Sequence, residues 1–373
     1  MGLLKELPVP SENKKSWPWH GEIKPEAYKY RNNWPTISIV VPSYNQGRFL
    51  EETLRSILLQ NYPSIEIIII DGGSKDETVD IIKKYEPWIK YWVSEKDKGQ
   101  SDAINKGFAR VTGDIVTWLC SDDLFTEGAL KRAAEIFSEL PTDYGIVYGG
   151  TTLFGENFKS TQSYDYDNSG IERYISGQAF PQPSSFIKRA YLIEAGAWVR
   201  EDLHLGMDYD LFARLGCVCK FHSIKEIFSL YRLHNASKTV SQHSRLVEDW
   251  TRTFSNLCRN FGWTDVLKKM EEIPQLTPFL NYNYPFKGNQ NIIDKTDKKL
   301  ALFYHLVYWL KSCYQYNKRD DARAILTILK KEYPRDWLAN EKYMAKIIRR
   351  LMIPNLFLDV LITVKRKYER LVN

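Results

Sequence analysis

The sequence lacks any apolar run long enough to cross a membrane. A membrane-spanning helix needs about 20 consecutive apolar residues, and no stretch of the 373 residues approaches that length. The chain starts MGLLKELPVPSENKK, which has no apolar core of the kind found in signal peptides. Glu6 also stands where a myristoylation pattern requires serine or threonine. We therefore expect a cytoplasmic protein.

Cysteine is scarce, and its distribution argues against two common kinds of site. The five cysteines are odd in number and scattered along the chain. The two nearest to each other, Cys217 and Cys219, form CxC rather than the CxxC spacing of many zinc sites. We expect neither a disulfide framework nor a zinc site, and a reducing compartment fits this composition.

The sequence also has little net charge. The net charge of +6 suits anionic phosphates or lipid headgroups. It is not the strong basic footprint of a nucleic-acid-binding protein, so we expect no nucleic acid partner.

What the sequence does contain is typical of a packed globular protein. Hydrophobic residues make up 43% and aromatic residues 14% of a chain that is long enough for two domains. We divide it into an irregular segment at residues 1–35, an α/β domain at 36–244 and a helical region at 245–373. The first segment is rich in proline and tryptophan, which predicts irregular structure wrapped onto the body.

An apolar segment that ends in two acids is the feature around which the chain is organised. Residues 115–119 have the composition of a buried strand, and Asp122 and Asp123 follow it. Open α/β sheets bind ligands at such strand ends. Two neighbouring anions repel unless a cation lies between them or one is protonated, and oxygen ligands favour Mg²⁺ or Mn²⁺. We interpret the acids as a metal and diphosphate site; the alternative is a turn in which one aspartate caps the next helix.

The preceding segments have the pattern of parallel β-α-β units. Strands are predicted at residues 36–41, 65–70 and 89–94, and helices at 47–60 and 75–85. Pro42 should end the first strand or leave it exposed, since proline cannot donate to a sheet ladder. Because parallel strands share one carboxyl edge, we expect Asp71, Asp122 and Asp123 to converge.

Two motifs on this edge also have purely structural interpretations. Ser74 and Glu77 have the spacing of a capping box for the helix at residues 75–85. Asp102 lies near the start of a further helix, where an acid is favourable without any ligand.

Several motifs, taken in order, resemble the family 2 glycosyltransferases of GT-A fold. They are ISIVVPSYNQGRFLEETLRSILLQNYPSIEIIIIDGGSKDET, DKGQSDAINKGFARVTGDIVTWLCSDDLFTEGAL and MDYDLFARL. The match covers about Thr36 to Arg245, so that residues 36–244 would be the catalytic domain. The resemblance implies a nucleotide-binding sandwich with a mostly parallel central sheet, a nucleotide-diphosphate sugar donor and inversion at the anomeric carbon. It also implies Mg²⁺ or Mn²⁺ held by an aspartate motif.

The resemblance assigns roles to individual residues. Contacts to the nucleotide sugar would come from Pro42, Tyr44, Asn45, Asp71, Asp102, Asn105, Asp122 and Arg232. Asp123 would be the direct metal ligand, and His234 a further metal or phosphate contact. The family commonly has Asp-Asp-Gly-Ser where this chain has Asp71-Gly72-Gly73-Ser74, so one acid near the base is missing.

An inverting transfer also needs a carboxylate that takes the proton of the acceptor hydroxyl. By the resemblance this base is Asp208, at the amino end of a predicted helix. A helix cap is the alternative, and the two roles are compatible. We expect Asp210 to hold the helix or Arg214 instead.

The expected activity is transfer of a sugar from a UDP-linked donor to a hydroxyl of a glycan or lipid-linked acceptor, in assembly of bacterial-type surface polysaccharide or another glycan. One alternative is a nucleotidyltransferase, which would need a glycine-rich basic loop that residues 42–46 do not supply. A non-catalytic sugar-nucleotide scaffold is the other, and it would not require Asp71, Asp122, Asp123 and Asp208 together.

The last third of the chain has helical patterns at residues 245–260, 298–316, 320–333 and 337–351. Residues 300–310 and 322–329 suggest a helical hairpin. The final segment, 356–370, is apolar and then basic. It packs on its own domain or makes peripheral contact with the inner face of a membrane.

Overall fold

A computed structural model of the chain describes residues 2–10, 14–155, 158–162, 170–177, 180–203, 205–234 and 246–353. Within these ranges the strands are β1 (Ile37–Ser43), β2 (Ile65–Asp71), β3 (Tyr91–Ser94), β4 (Ile115–Trp118), β5 (Leu124–Phe125), β6 (Tyr144–Gly155), β7 (Phe158–Gln162), β8 (Ser185–Lys188) and β9 (Lys220–Arg232).

The helices fall into two groups along the chain. Those among the strands are α1 (Gly47–Leu58), α2 (Thr78–Tyr85), α3 (Gln100–Phe108), α4 (Ala129–Glu139), α5 (Ile171–Tyr174), α6 (Arg189–Glu194) and α7 (Met207–Gly216). Those that follow are α8 (Leu246–Asn260), α9 (Thr264–Glu271), α10 (Gln290–Lys295), α11 (Lys298–Gln315), α12 (Arg319–Glu332), α13 (Arg335–Ala339) and α14 (Met344–Leu351).

The strands form one sheet in the order β3-β2-β1-β4-β8-β6-β9-β5, with β7 paired to β6. Strands β1 to β4 pair in parallel, as do β6 and β9. Strands β5, β7 and β8 pair antiparallel with their neighbours. The predicted α/β architecture with a mostly parallel sheet and C-terminal helices is confirmed.

Helices cover both faces of the sheet, as the continuous apolar sequences of β1 and β2 require. In β1, Ile37, Ile39 and Val41 lie in one core with α1 and α4. Val40 points to the other face and lies in a core with α3 and α7. Because β1 to β4 run in one direction, the loops after them meet at a single edge.

The first strand runs through Pro42, where the sequence predicted that it stops or becomes exposed. Pro42 is buried and lies opposite Ile70 of β2. The carbonyl of Val40 accepts from Leu119 on the β4 side, so an amide at position 42 would point to that same side. Since β4 ends at Trp118, no ladder hydrogen bond is lost, and the prediction was wrong for this reason.

Helix α2 begins at Thr78 rather than at residue 75, and the predicted capping box is absent at its start. The hydroxyl of Ser74 donates to Asp71 and accepts from the amide of Asn45 at 2.7 Å. Asp76, which lies one residue before the N-cap Glu77, accepts from the amide of Thr78 at 3.1 Å instead.

The segment before β1 is fastened by one buried arginine. Arg55 of α1 is 0% exposed. Its guanidinium donates to the carbonyl oxygens of Pro8 at 3.0 Å, Pro18 at 3.2 Å and Trp19 at 3.3 Å. One guanidinium can join separate stretches of irregular chain because it carries five donors in a fixed plane.

The C-terminal helices share a core with α7. Buried residues of α8 and α11 lie in one cluster with Tyr209, Ala213 and Cys217. Helices α11 and α12 form the predicted hairpin. The helix predicted over residues 337–351 is two helices, because Tyr343 adopts a left-handed φ of 67° before α14.

The final apolar and basic segment, residues 356–370, lies outside the described residues. In the described part of the chain, the helices are too short or too polar for any of them to traverse a bilayer.

Gly107 of α3 tests how closely that helix packs on the sheet. A Cβ added there would overlap Val40, which is 0% exposed. Overpacking costs about 1–3 kcal/mol, which exceeds the gain of about 1 kcal/mol that alanine has over glycine in a helix. We expect Gly107→Ala to lower the free energy of unfolding in urea by about 1–2 kcal/mol. Adding Gly107→Ala to a Val40→Ala background should cost less, and equal costs in both backgrounds would contradict the contact.

Candidate active site

A cleft of about 640 Å³ opens at the carboxyl edge of the parallel strands. Its walls are formed by residues 42–46 at the end of β1, Gly72 after β2, residues 96, 97, 99, 100 and 103 after β3 and residues 120–123 after β4, with Tyr231 of β9. The volume is that of a small-molecule site, and the position is where open α/β sheets bind ligands.

The two acids after β4 are carried by a tight turn. The amide of Asp123 donates to the carbonyl of Cys120 at 3.0 Å. The hydroxyl of Thr53, buried on α1, lies 2.9 Å from the carbonyl oxygen of Ser121 and 2.8 Å from that of Asp123. Helix α1 therefore fixes the backbone that presents both carboxylates.

Only one carboxylate oxygen of Asp123 has a hydrogen-bond partner in the described part of the chain. The residue is 1% exposed, and its Oδ1 accepts from the amide of Arg232 at 2.9 Å. Its Oδ2 is buried and has no hydrogen-bond partner among the described residues. Burial raises the pKa of Asp123 well above its usual range, and the charge of Asp122 raises it further. Such a carboxylate needs a proton or a cation.

The donor set at this turn fits a divalent cation. One carboxylate oxygen each from Asp122 and Asp123 and the sulfur of Cys120 lie within 4.8 Å of one another. Carboxylates facing an unsatisfied, water-poor position are the ligands that such ions take. The assignment of Asp123 as the direct ligand remains a prediction.

Asp122 contacts the residues at the end of β9. Its Oδ2 lies 2.9 Å from Nε2 of His234, and its carbonyl accepts from Nε of Arg232 at 2.9 Å. Arg232 also pairs with Glu52 of α1 at 2.7 Å and lies 4.5 Å from the ring centroid of Phe49. The structure thus brings together Asp122, Asp123, Arg232 and His234, which the sequence placed in one site.

Asp71 lies beneath the loop after β2 rather than in the cleft. It is 0% exposed. It accepts from the hydroxyl of Ser94 at 2.6 Å, from the amides of Ser74 at 2.9 Å and Gly73 at 3.2 Å, and from the hydroxyl of Ser74. The loop already uses both carboxylate oxygens in this arrangement, and the expected contact of Asp71 with the nucleotide remains a prediction.

Asp97 lines the cleft from this side, and sequence reasoning gave it no role. Its Oδ1 accepts from the amide of Gly99 at 2.8 Å. Its Oδ2 lies opposite Gly72, where an added Cβ would come within 2.7 Å of it. The available signal was its position just after β3, which is the same rule that singled out Asp71 and Asp122.

Pro42, Tyr44 and Asn45 line the cleft where the sequence predicted nucleotide contacts. Tyr44 is 60% exposed. Asn45 has a left-handed φ of 52°, and its Oδ1 accepts from the amide of Lys75 at 2.9 Å. The loop after β1 is thereby tied to the loop after β2.

Asp102 and Asn105 of α3 lie outside the cleft lining formed by the described residues. Asp102 accepts from the amide of Lys98 at 3.1 Å and lies 3.4 Å from the amine of Lys106. Asn105 donates to the carbonyl of Val199 at 2.9 Å and accepts from its amide at 2.7 Å. These side chains serve the start of α3 and the chain at Val199, and their contact with the nucleotide remains a prediction.

Asp208 lies in the first turn of α7, at the helix end predicted for it. Its Oδ1 accepts from the amide of Tyr209 at 2.8 Å. The preceding Met207 contacts Ser101 of α3, with 2.7 Å between Oγ and Sδ. Because Gln100 beside Ser101 lines the cleft, the amino end of α7 adjoins that wall. The role of Asp208 as a base remains a prediction.

Asp210 holds Arg214, as predicted. The ion pair is 2.9 Å long, and each side chain is 2% exposed. Arg214 also donates to the carbonyl of Trp198 at 2.7 Å, which ties α7 to the chain before it.

Comparison with known proteins identifies the family. Residues 38–204 match the family model described as glycosyl transferase family 2. An uncharacterized glycosyltransferase of Nostoc sp. is 35% identical over 228 residues, which cover 57% of this chain and 69% of that protein. The chain belongs to the family 2 glycosyltransferases, as its motifs predicted.

Other similarities concern length and fold. An uncharacterized glycosyltransferase of Rickettsia felis is 28% identical over 269 residues, or 68% of this chain, but the match spans only 44% of that longer protein. The crystal structure of S. aureus TarS 1-349 in complex with UDP-GlcNAc has a TM-score of 0.51 at 15% identity, over 80% of this chain and 93% of that one. The predicted GT-A fold is confirmed.

Because the charge of Asp123 is buried, we expect its removal to raise the free energy of unfolding. Its folded pKa lies above the unfolded value, so the cation-free protein loses stability as pH rises through the range where Asp123 ionises. At pH 7, Asp123→Asn should raise the free energy of unfolding by about 0.5–2 kcal/mol. The gain, measured as Tm of chelator-treated protein, should shrink at lower pH. Asp143→Asn, on the surface, is the control; a Tm unchanged or lowered by Asp123→Asn would contradict the argument.

We expect Asp71 to support the stability of the protein and Asp97 to support nucleotide binding. Asp71→Asn disturbs buried hydrogen bonds and should lower the free energy of unfolding by about 1–3 kcal/mol. Asp97→Asn removes a partly exposed charge and should change stability by less than about 0.5 kcal/mol. It should nevertheless weaken nucleotide binding on the order of tenfold, the usual size of a lost charged hydrogen bond. Urea unfolding measures the changes in stability, and calorimetry measures the changes in nucleotide binding. A stability loss in Asp97→Asn with a binding loss in Asp71→Asn would reverse the two assignments.

Proposed function

We propose that the protein transfers a sugar from a nucleotide-diphosphate sugar to an acceptor hydroxyl, with inversion and with Mg²⁺ or Mn²⁺ at Asp122 and Asp123. The observation that carries the proposal is the buried, half-satisfied carboxylate of Asp123 beside Asp122 in the cleft. When bound there, a divalent cation would stabilise charge on the departing diphosphate. The turn held by Thr53 presents both acids without rearrangement.

The cleft supplies groups suited to a nucleotide diphosphate. Tyr44 and Asp97 offer a ring and a carboxylate on the side formed by the loops after β1 and β3. Arg232 is held 2.7 Å from Glu52, so its positive charge is fixed beside the acids before any donor binds. A UDP-linked donor is our first candidate, since TarS, which has a similar fold, was solved with UDP-GlcNAc.

Asp208 is the base in this proposal. The acceptor oxygen forms a bond to the anomeric carbon while the bond from that carbon to the diphosphate breaks. The hydroxyl proton passes to the carboxylate of Asp208. The buried pair of Asp210 and Arg214 keeps the orientation of α7, and with it the position of Asp208.

The acceptor in this proposal is a glycan or lipid-linked hydroxyl, in the assembly of bacterial-type surface polysaccharide or another glycan. We assign catalysis to residues 36–244 and propose that residues 245–373 support the acceptor side, because α8 and α11 share a core with α7. A cytoplasmic location with peripheral membrane contact through residues 356–370 completes the proposal.

Donor turnover with and without Asp208 tests the proposed chemistry. We expect wild-type protein to release UDP from a UDP-sugar in the presence of Mn²⁺. Asp208→Asn should lower kcat by about 10²–10⁴-fold, the usual contribution of a general base. The donor Kd should be nearly unchanged, because the base acts on the acceptor.

Asp265→Asn, an exposed acid at the start of α9, is the matched control and should retain wild-type turnover. Equal turnover in wild type and Asp208→Asn would show that Asp208 is not the base. A protein that binds UDP-sugars but never turns them over would be a scaffold, contrary to the proposal.

A further inference from the structure

Cys120 brings a sulfur atom to the acid cluster, and the proposed transfer does not require it. The residue is partly exposed and lines the cleft. The other four cysteines are buried, and burial raises the pKa of each of their thiols: Cys217, Cys219, Cys258 and Cys313. Cys120 is therefore the thiol of this chain that is placed to meet a ligand.

The sulfur lies within reach of an ion that both acids could bind. Cys120 Sγ and one carboxylate oxygen each from Asp122 and Asp123 lie within 4.8 Å of one another. In a tetrahedral site with ligand bonds of about 2.0–2.3 Å, the ligand atoms lie about 3.5 Å apart, so these three groups would move closer together to bind one ion. The hydrogen bond of 3.0 Å from the amide of Asp123 to the carbonyl of Cys120 holds the backbone turn that carries all three residues.

A separate observation points to a cation at the same place. Asp123 Oδ2 is buried and has no hydrogen-bond partner among the residues that the structure describes. The residue is 1% exposed, so water gives little compensation. On the other side, Nε2 of Gln100 donates to Cys120 Sγ at 3.2 Å, which holds the sulfur between α3 and the turn.

The type of donor atom determines which cations such a site prefers. Carboxylates suit Mg²⁺, Ca²⁺ and Mn²⁺, whereas thiolates suit Zn²⁺ and other thiophilic ions. Because Mg²⁺ prefers oxygen ligands, the Cys120 sulfur would not strengthen Mg²⁺ binding at this site. Spacing rules that search for paired cysteines and histidines do not detect one cysteine beside two acids.

We propose that Cys120 Sγ, with the carboxylates of Asp122 and Asp123, forms a mixed sulfur and oxygen site that selects thiophilic divalent cations such as Zn²⁺ and Co²⁺ over Mg²⁺. The inference rests on the cation site of the proposed function, and it places a more thiophilic ion there than the Mg²⁺ or Mn²⁺ named above. On binding, the thiol releases its proton to solvent and the sulfur becomes a ligand.

Cobalt titration of chelator-treated, nucleotide-free, full-length protein tests the proposal. A Co²⁺–thiolate bond gives a charge-transfer band in the near ultraviolet that carboxylate ligands do not give. We expect the band in wild type, saturating at one equivalent, and its loss in Cys120→Ser. Cys258→Ala, which removes a buried thiol elsewhere, should keep it. Cys120→Ser should weaken Co²⁺ binding on the order of tenfold or more and Mg²⁺ binding by less than about threefold.

Two outcomes would overturn the sulfur ligand: a band that persists in Cys120→Ser, or wild-type protein that binds Co²⁺ without a band. Titration of UDP-GlcNAc with Mn²⁺ separates this from failure of the proposed function. If Asp123→Asn abolishes nucleotide binding and no variant shows a cobalt band, the proposed transferase function stands and Cys120 is not a metal ligand. A cobalt band without Mn²⁺-dependent nucleotide binding would support the mixed site and overturn the proposed function.

Discussion

The rest of the structure depends on one constraint, which is the placement of two carboxylates side by side after a buried strand. These are the carboxylates of Asp122 and Asp123. Neighbouring anions repel, and burial of one adds a desolvation cost. The amide of Arg232 offsets part of that cost through a bond of 2.9 Å to Asp123. The second oxygen is left unsatisfied by the described residues. An unfavourable feature held this firmly is typical of a place where a ligand supplies the missing charge.

Much of the surrounding structure serves to hold this arrangement. Thr53 binds the turn from α1, Asp71 closes the loop after β2, and Asn105 ties α3 to the backbone of Val199. Asp210 and Arg214 do the same for α7 inside a dry core. These polar residues do not line the cleft formed by the described residues, yet each supports a loop or helix that does or adjoins it. The site thus consists of a few exposed groups on a larger framework of buried polar contacts.

Sequence reasoning located the edge of the sheet but not the role of every acid on it. The apolar runs of β1, β2 and β4 predicted parallel strands, and the acids after them predicted a shared site. Whether a given polar side chain is available depends on partners distant in sequence, such as Ser94 for Asp71 and Val199 for Asn105. No local pattern reveals those partners. Pro42 was misjudged for a related reason, because its cost depends on where the neighbouring strand β4 ends.

Anomalous diffraction from crystals grown with Mn²⁺ and UDP-GlcNAc tests the central claim most directly. We expect a manganese peak within coordination distance, about 2.0–2.6 Å, of Oδ2 of Asp123 and of a diphosphate oxygen. A nucleotide bound in the cleft with no manganese beside Asp122 and Asp123, or manganese held by other residues, would contradict it.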